Sequence, residues 1–450
     1  MRFSTLLGAA ALATASPAPQ FVDVAAVNDA PTPSLQGPPA SAVSQTGVYD
    51  KSAVLASIAA EVESFDKRNY PVNHRTSTKK TSTTKSCATS TSKGEHAYQH
   101  TSTSTAKGGY PTQQTSVTGQ SGSHSTSTSS TSISTSYPVT TSAATSASTG
   151  IVPTTCTPVS WTNTNSFTSA TACPTPFEVG TYCGFINPED PCAPQPDGYG
   201  PKVVPDTPEA FQESEELKSL ALSAKTPKGY TQTFSDLEAS VNANTYLGLQ
   251  TLTSYNVSGC AAACDSTDLC TAFNIYIERD PAWNPDQCSC TSPSSITNFK
   301  CSLWGSGVDS AAATNSGQYR DDFEVVITGS NGYSKVNTTE PETPPNWTEP
   351  QKCDGVHAHP KTCIGSHAFK GPFDVSVCAA LADTYNKVRN NKRECKFFNA
   401  FMLKEDGVPV GTYCKLFDRK YEPSEVSYSR GLSSGGKQWD YETSYSYCKK

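Results

Sequence analysis

Apolar positions change rhythm along the chain, and the rhythm predicts the elements. Leu6 to Ala13 is a short unbroken apolar run behind Arg2. A bilayer needs roughly 20 such residues, and Ala13-Thr14-Ala15 supplies the small residues of a cleavage site, so residues 1–15 read as a secretory signal. Residues 17–48, rich in Pro, Ala and Ser, show no period and are expected to be unstructured. From 51 to 65, Val54, Leu55, Ile58, Ala59 and Val62 recur at helical spacing. Between Thr76 and Thr155 the chain is almost a Ser/Thr polymer. Such a run has too little apolar surface to offset the entropy of ordering it, and it predicts a disordered, O-glycosylated stalk. Residues 206–227 are acidic and mildly helical. Strict alternation appears at Phe273, Ile275 and Ile277 and again at Phe398, Ala400 and Met402, the signature of strands. An Ala-rich stretch precedes each strand, with Ser258 or Ser376 placed to cap it as a helix. A Cys-x-Leu-aromatic stretch follows each strand and reads as its neighbour, with Trp304 and Phe417 in the core.

These patterns repeat. Asn256 to Asp265 aligns without a gap with Asp374 to Asp383. Cys270-x-x-Phe273-Asn274 then matches Cys395-x-x-Phe398-Asn399, and Cys301-x-Leu303 matches Cys414-x-Leu416. The order is shared and only the spacers differ, which indicates a tandem duplication. The chain thus divides into a signal (1–15), a candidate pro-segment (16–68), the Ser/Thr-rich stalk (69–155), a Cys- and Pro-rich cap with its connector (156–227), a first module (228–333), a Pro-rich linker (334–352) and a second module (353–450). The dibasic Lys67-Arg68 suggests the pro-segment boundary; a surface charge pair is the alternative. The predicted fold class is α+β, with small disulfide-rich modules in which a helix packs on an antiparallel sheet. N-glycosylation sequons stand at Asn256, Asn337 and Asn346.

Seventeen cysteines change the picture of how such small cores are held. Cys87 lies alone in the Ser/Thr tract, where it is a candidate for a bond to another chain. The rest form even groups: Cys156, Cys173, Cys183 and Cys192; then Cys260 to Cys301; then Cys353 to Cys448. Even grouping predicts disulfides made module by module in an oxidising compartment, two of them within the cap. Zinc would call for paired Cys-x-x-Cys or Cys/His knuckles, which the chain lacks.

Cys260-x3-Cys264-x5-Cys270-x-x-Phe273, followed by Cys301-x-Leu303, resembles the PAN/apple pattern. The resemblance implies a helix crossing a small antiparallel sheet, with Cys260 bonded to Cys301 and Cys264 to Cys270. Cys378 and Cys414 stand at corresponding positions of the second copy, but Ala382 replaces the second helix cysteine. Cys395 then needs another partner, with Cys363 the candidate, which leaves Cys353 and Cys448 to tie the module's ends; Cys288 and Cys290 are unassigned. Phe273 to Pro281 and Asp322 to Tyr333 are also similar to segments of secreted proteins from filamentous fungi, a resemblance that brings no activity with it.

PAN/apple modules imply binding rather than chemistry. Trp283, Tyr319 and Trp439 are candidates to stack on sugar rings, with Asn274 and Asn399 bonding to hydroxyls. The expected partner is cell-wall polysaccharide or an extracellular protein, and the expected location is extracellular, at or near the wall. The formal charge of −7 argues against nucleic acid. No later stretch or hydrophobic tail suggests a membrane anchor. No nucleophile elbow, His-Glu-x-x-His or phosphate loop is present, so no catalysis, cofactor or metal is expected. Asp354, His357 and His359 could hold a metal but read as a solvated loop. Glu278 with Asp280, or Asp321 with Asp322, could serve as glycosidase carboxylates, yet beside Arg279 and Arg320 they read as surface charge pairs. A structural wall protein and a secreted polysaccharide hydrolase are the alternatives.

Overall fold

The computed structural model describes residues 22–38, 44–65, 191–195, 197–286, 288, 290–337, 340–388, 393–428, 431–434 and 436–450. The signal, Lys67-Arg68, the Ser/Thr-rich stretch with Cys87, and Cys156, Cys173 and Cys183 lie outside the described residues.

The described chain is mixed α+β and mostly sheet. It opens with α1 (Val24–Asp29), β1 (Ser44–Gln45) and α2 (Lys51–Phe65). The helical period over 51–65 is thus realised. The stretch expected to be unstructured over 17–48 instead contains α1 and β1 among its described residues. Its few apolar side chains, such as Val22 and Val27, find partners distant in sequence. After α3 (Pro208–Gln212) and α4 (Glu215–Leu222) come β2 (Tyr230–Leu237), β3 (Ser240–Val241), β4 (Tyr246–Leu252), α5 (Val257–Asp265), β5 (Ala272–Pro281), β6 (Ser295–Trp304), β7 (Ala313–Asn315), β8 (Gly317–Arg320) and β9 (Phe323–Lys335). The second half adds β10 (Gln351–Lys352), β11 (Cys363–Lys370), α6 (Val375–Val388), β12 (Phe397–Glu405), β13 (Val408–Phe417), β14 (Leu432–Ser434) and β15 (Lys437–Cys448).

Two large antiparallel sheets result, ordered β1-β4-β6-β5-β9-β2 with β8 on β9, and β10-β15-β12-β13-β11 with β14 on β15, and β3 and β7 form a small two-stranded sheet. α5 packs on β5 and β6, and α6 packs on β12 and β13. The alternating Phe273 and Ile275 face α5, as Phe398 and Ala400 face α6. Trp304 and Phe417 are buried on the opposite faces. β5 and β12 are central strands covered on both faces, so the polar side chains between the apolar ones are buried too.

Several details depart from expectation. The helix caps are Asn256 and Asp374, aligned in the repeat, not the serines. The Asn256 side chain accepts from the Gly259 N–H (2.9 Å) and Asp374 from the Ser376 N–H (2.9 Å). Ser258 and Ser376 sit two residues farther on, inside the first turn, where a hydroxyl is not placed to cap the first free N–H groups. The Pro-rich linker is not a free spacer: Trp347 is fully buried, meets Phe398 edge-on and donates its indole N–H to Asp383.

Cys260 bonds to Cys301, Cys264 to Cys270 and Cys378 to Cys414, so each helix is stapled to its sheet. Bonding does not stay module by module. Cys192 of the cap pairs with Cys290 of the first module. Cys288 and Cys448 are also bonded, whereas Cys353, Cys363 and Cys395 are free thiols. Cys363 and Cys395 cannot pair because they lie on opposite faces of the second sheet. Cys363 joins the Phe397, Phe417 and Tyr421 cluster, and Cys395 joins the helix-side core. The ends that Cys353 and Cys448 were expected to tie are joined by the β10–β15 pairing and the Thr348 N–H to Cys448 carbonyl bond instead.

Candidate binding surface

The two asparagines proposed as sugar contacts are buried and play one shared structural role. Asn274 accepts from the Val241 N–H (2.9 Å) and donates to Ser330 Oγ (2.9 Å) and the Asn331 carbonyl (2.9 Å). Asn399 accepts from the His357 N–H (3.0 Å) and donates to Ser444 Oγ (3.0 Å) and the Tyr445 carbonyl (2.9 Å). In each half the amide fastens a preceding segment, β3 in the first and the His357 loop in the second, and the neighbouring strand to the central strand. Neither has a polar atom left for a ligand. The partner strands carry a further repeat signal that the sequence reading missed, Ser330-x-x-Tyr333 against Ser444-x-x-Tyr447. Tyr333 stacks on Phe273 at 5.0 Å, and Tyr447 on Phe398 at 4.7 Å. Trp439 is also buried, packed with Phe401 and Leu403 beneath Val22 and Val27, so it cannot reach a ligand.

Trp283 (49% exposed) and Tyr319 (69%) are open to solvent, as is Tyr199 (52%). Among the described residues, these are the large aromatic side chains with such exposure, and all belong to the first module and its cap. Tyr319 pairs with Glu324 and faces away from Arg320, whereas Trp283 belongs to a segment fixed against the cap. Residues 192–195 run antiparallel to 282–284, with Cys192 donating to the Asn284 carbonyl (3.0 Å) and Gln195 to the Ala282 carbonyl (2.9 Å). The Cys192–Cys290 disulfide locks this pairing. The Arg320 guanidinium, next to Tyr319, donates to the side chains of Asn284 and Gln195 and so holds the Trp283 segment to β8. Tyr199 is placed by its neighbours: the Gly198 N–H donates to Asn298 Oδ1 (2.7 Å) and the Gly200 N–H to the Thr297 carbonyl (3.0 Å).

A buried charged layer lies on the face of β5 and β6 away from α5. Lys300 Nζ stands 3.4 Å from Glu278 and 3.5 Å from Asp280, and Asn298 donates to Asp280 Oδ2 (2.7 Å). Burial, reinforced by Asp280 beside it, raises the Glu278 carboxyl above its ordinary range, with Lys300 opposing. Burial would lower the Lys300 ammonium, but the two carboxylates outweigh it and hold the amine charged. Asp280 Oδ1 has no hydrogen bond among the described residues. The reading of Glu278 and Asp280 as surface pairs with Arg279 is therefore corrected. Arg279 points to the other face, bonded to Asp206 (2.8 Å) and the Glu324 carbonyl (2.7 Å) and lying over Phe323. The two carboxylates are bridged by one ammonium and do not flank a cleft, so they are not a glycosidase pair.

The second module holds a different cluster. His357 Nδ1 lies 3.2 Å from His359 Nε2, and Cys353 Sγ lies 3.8 Å from His357 Nε2. His357 is fully buried rather than part of a solvated loop. Burial, with His359 alongside, pushes its imidazole down to about 3, and burial pushes the Cys353 thiol up to about 11. A neutral thiol beside a neutral ring is not an activated nucleophile, which requires a thiolate. Among the described residues no group of three His, Cys, Asp or Glu side chains is arranged to hold a metal. The sequon residues Asn256, Asn337 and Asn346 are all exposed.

No helix among the described residues is long and apolar enough to cross a membrane. Compared with protein-family models, curated proteins and solved structures, the chain matches none.

Proposed function

We propose that the protein is a non-catalytic, secreted recognition protein that binds extracellular polysaccharide through the end of its first module. The observation that carries this reading is the exposure of Trp283 on a rim segment locked by the Cys192–Cys290 disulfide and held by Arg320, with Tyr199 and Tyr319 also open to solvent. Flat exposed rings cover the apolar faces of sugars, and pre-locking the rim limits the entropy lost on binding. The duplicated helix-on-sheet unit, with its helix–sheet disulfides, supports a PAN/apple-like architecture. The leader-like start and the abundance of paired cysteines support an extracellular setting.

The test is retention of the full chain on insoluble chitin, β-glucan, cellulose and mannan. The full chain is required because residues 22–58 pack into the cores of both modules, Leu35, Val48 and Tyr49 against the first and Val22, Val27 and Ile58 against the second. Retention on one polymer should fall about tenfold or more in Trp283→Ala, the loss typical of an aromatic anchor. Retention on none would shift the reading to a protein partner or to a structural role in the wall.

A further inference from the structure

The N-terminal segment has the position of a permanent part rather than a discarded leader. We propose that residues 22–65 remain bound after any cut at Lys67-Arg68, so that processing yields a two-chain protein held by a non-covalent interface. The partner that this interface fits is the chain's own N-terminal fragment.

The segment engages both modules with features specific to it. At the first module, β1 extends the sheet by pairing with Leu249 and Gln250 on β4, and Gln45 accepts from Tyr246 Oη at 2.6 Å. The Gln45 carbonyl approaches so closely that a Cβ on Gly248 would lie 2.4 Å from it. Gly248, at φ +158°, is therefore shaped for this strand. Without β1, β4 would be an exposed edge with unpaired backbone groups, a template for aggregation. At the second module, the Asp23 N–H donates to Tyr413 Oη (2.8 Å), and Val22, Val27 and Ala30 cover Phe401, Leu403 and Trp439. On the far side of the same sheet, Val54, Leu55 and Ile58 of α2 pack against α6 and complete the helix-side core. Between these contacts, Tyr49 Oη donates to Asp374 (3.3 Å), and Lys51 pairs with Glu342 (3.0 Å) and Asp374 (3.6 Å).

One segment thus closes a sheet edge and covers both faces of the second sheet. Its loss would bare an aromatic patch and a helix flank of the kind that soluble proteins keep covered. Cleavage breaks only the Arg68–Asn69 peptide bond, with water as the co-reactant, and touches none of these contacts.

The test replaces Lys67-Arg68 in the full chain with the site of a sequence-specific protease. The cut protein is then examined by native size exclusion and native mass spectrometry at low micromolar concentration. A single species containing both chains, parting only in denaturant, is expected. Its melting temperature should become concentration-dependent, as for any two-chain assembly. Ile58→Asp should weaken retention about 30-fold or more, as expected for loss of a buried anchor. Lys51→Glu alters no core residue, so its folding is not in question, and it should weaken retention by a smaller factor. Elution of the cut fragment apart from the remainder under native conditions, whether or not the remainder stays folded, overturns the proposal. Equal retention in the cut wild type and both variants also overturns it, because the interface would then not be the one described.

Discussion

The second module lacks one disulfide of the first, and restoring it measures how closely the two copies correspond. Where Cys264 bonds to Cys270, the second copy has Ala382 opposite Cys395. Both are fully buried in the helix-side core. One turn along the same helix face, Asn386 clamps the backbone of Cys395. Its Oδ1 accepts from the Cys395 N–H (2.7 Å), and its Nδ2 donates to the Cys395 carbonyl (3.1 Å). Residues four apart share a helix face, so Ala382→Cys places a thiol toward Cys395 while the amide clamp stays in place. The new bond would close a loop of about 13 residues, for which loss of unfolded-state entropy contributes about 3 kcal/mol. For a cooperative unit the size of both modules together, that raises the melting temperature roughly 6–12 °C. The assay is calorimetry with and without reductant, together with thiol titration in denaturant. The oxidised variant should titrate one fewer thiol than wild type despite carrying one more cysteine, and reductant should erase the gain. If it titrates one more thiol and melts like wild type, Cys395 does not face position 382 and the copy-to-copy correspondence fails there.

Lys300→Met leaves Glu278 and Asp280 buried without their shared counter-charge, and urea denaturation should show a loss of about 3–5 kcal/mol. The pH dependence of stability should have two opposed arms. The Glu278 carboxyl is raised in the fold, so its contribution is full below its ordinary value of 4.5 and is lost as pH rises from there. The His357 ring is depressed from 6.5 to about 3, so its contribution is present above 6.5 and is lost as pH falls. Each arm has a limiting slope of about 1.4 kcal/mol per pH unit. Between the two ordinary values the arms cancel in part. Glu278→Gln should therefore make stability rise more steeply with pH there, and His357→Gln should make it fall; unchanged profiles in both variants would refute the burial of these groups. Trp439→Ala should cost about 3–5 kcal/mol as a core truncation. Trp283→Ala should change stability by less than about 0.5 kcal/mol while reducing retention on polysaccharide; a large loss of stability in Trp283→Ala would show that the ring is core and not rim.

Local pattern determined a good deal by itself. The period over 51–65 specified a helix because the apolar spacing of a helix is a property of the segment alone. Alternation around Phe273 and Phe398 specified strands for the same reason, and ordered landmarks matched the helix–strand–strand order found in both halves. What local pattern could not tell was which face of each element would be covered, and by what. Asn274, Asn399 and Trp439 looked like ligand contacts because polar and aromatic residues are usually exposed or half-exposed. Asn274 and Asn399 are buried because β5 and β12 are central strands covered on their second face, and Trp439 on β15 is buried because the N-terminal segment packs over it. Glu278 and Asp280 looked like surface charges beside Arg279, but strand alternation sends Arg279 to one face and both carboxylates to the other, where Lys300 meets them. The Cys192–Cys290 bond, the free Cys395 and the role of residues 22–58 depend on contacts between segments far apart in the chain. Such contacts leave no period in the sequence, because each partner sees only its own neighbours along the chain. Only the tertiary structure, which brings those distant surfaces together, decided them.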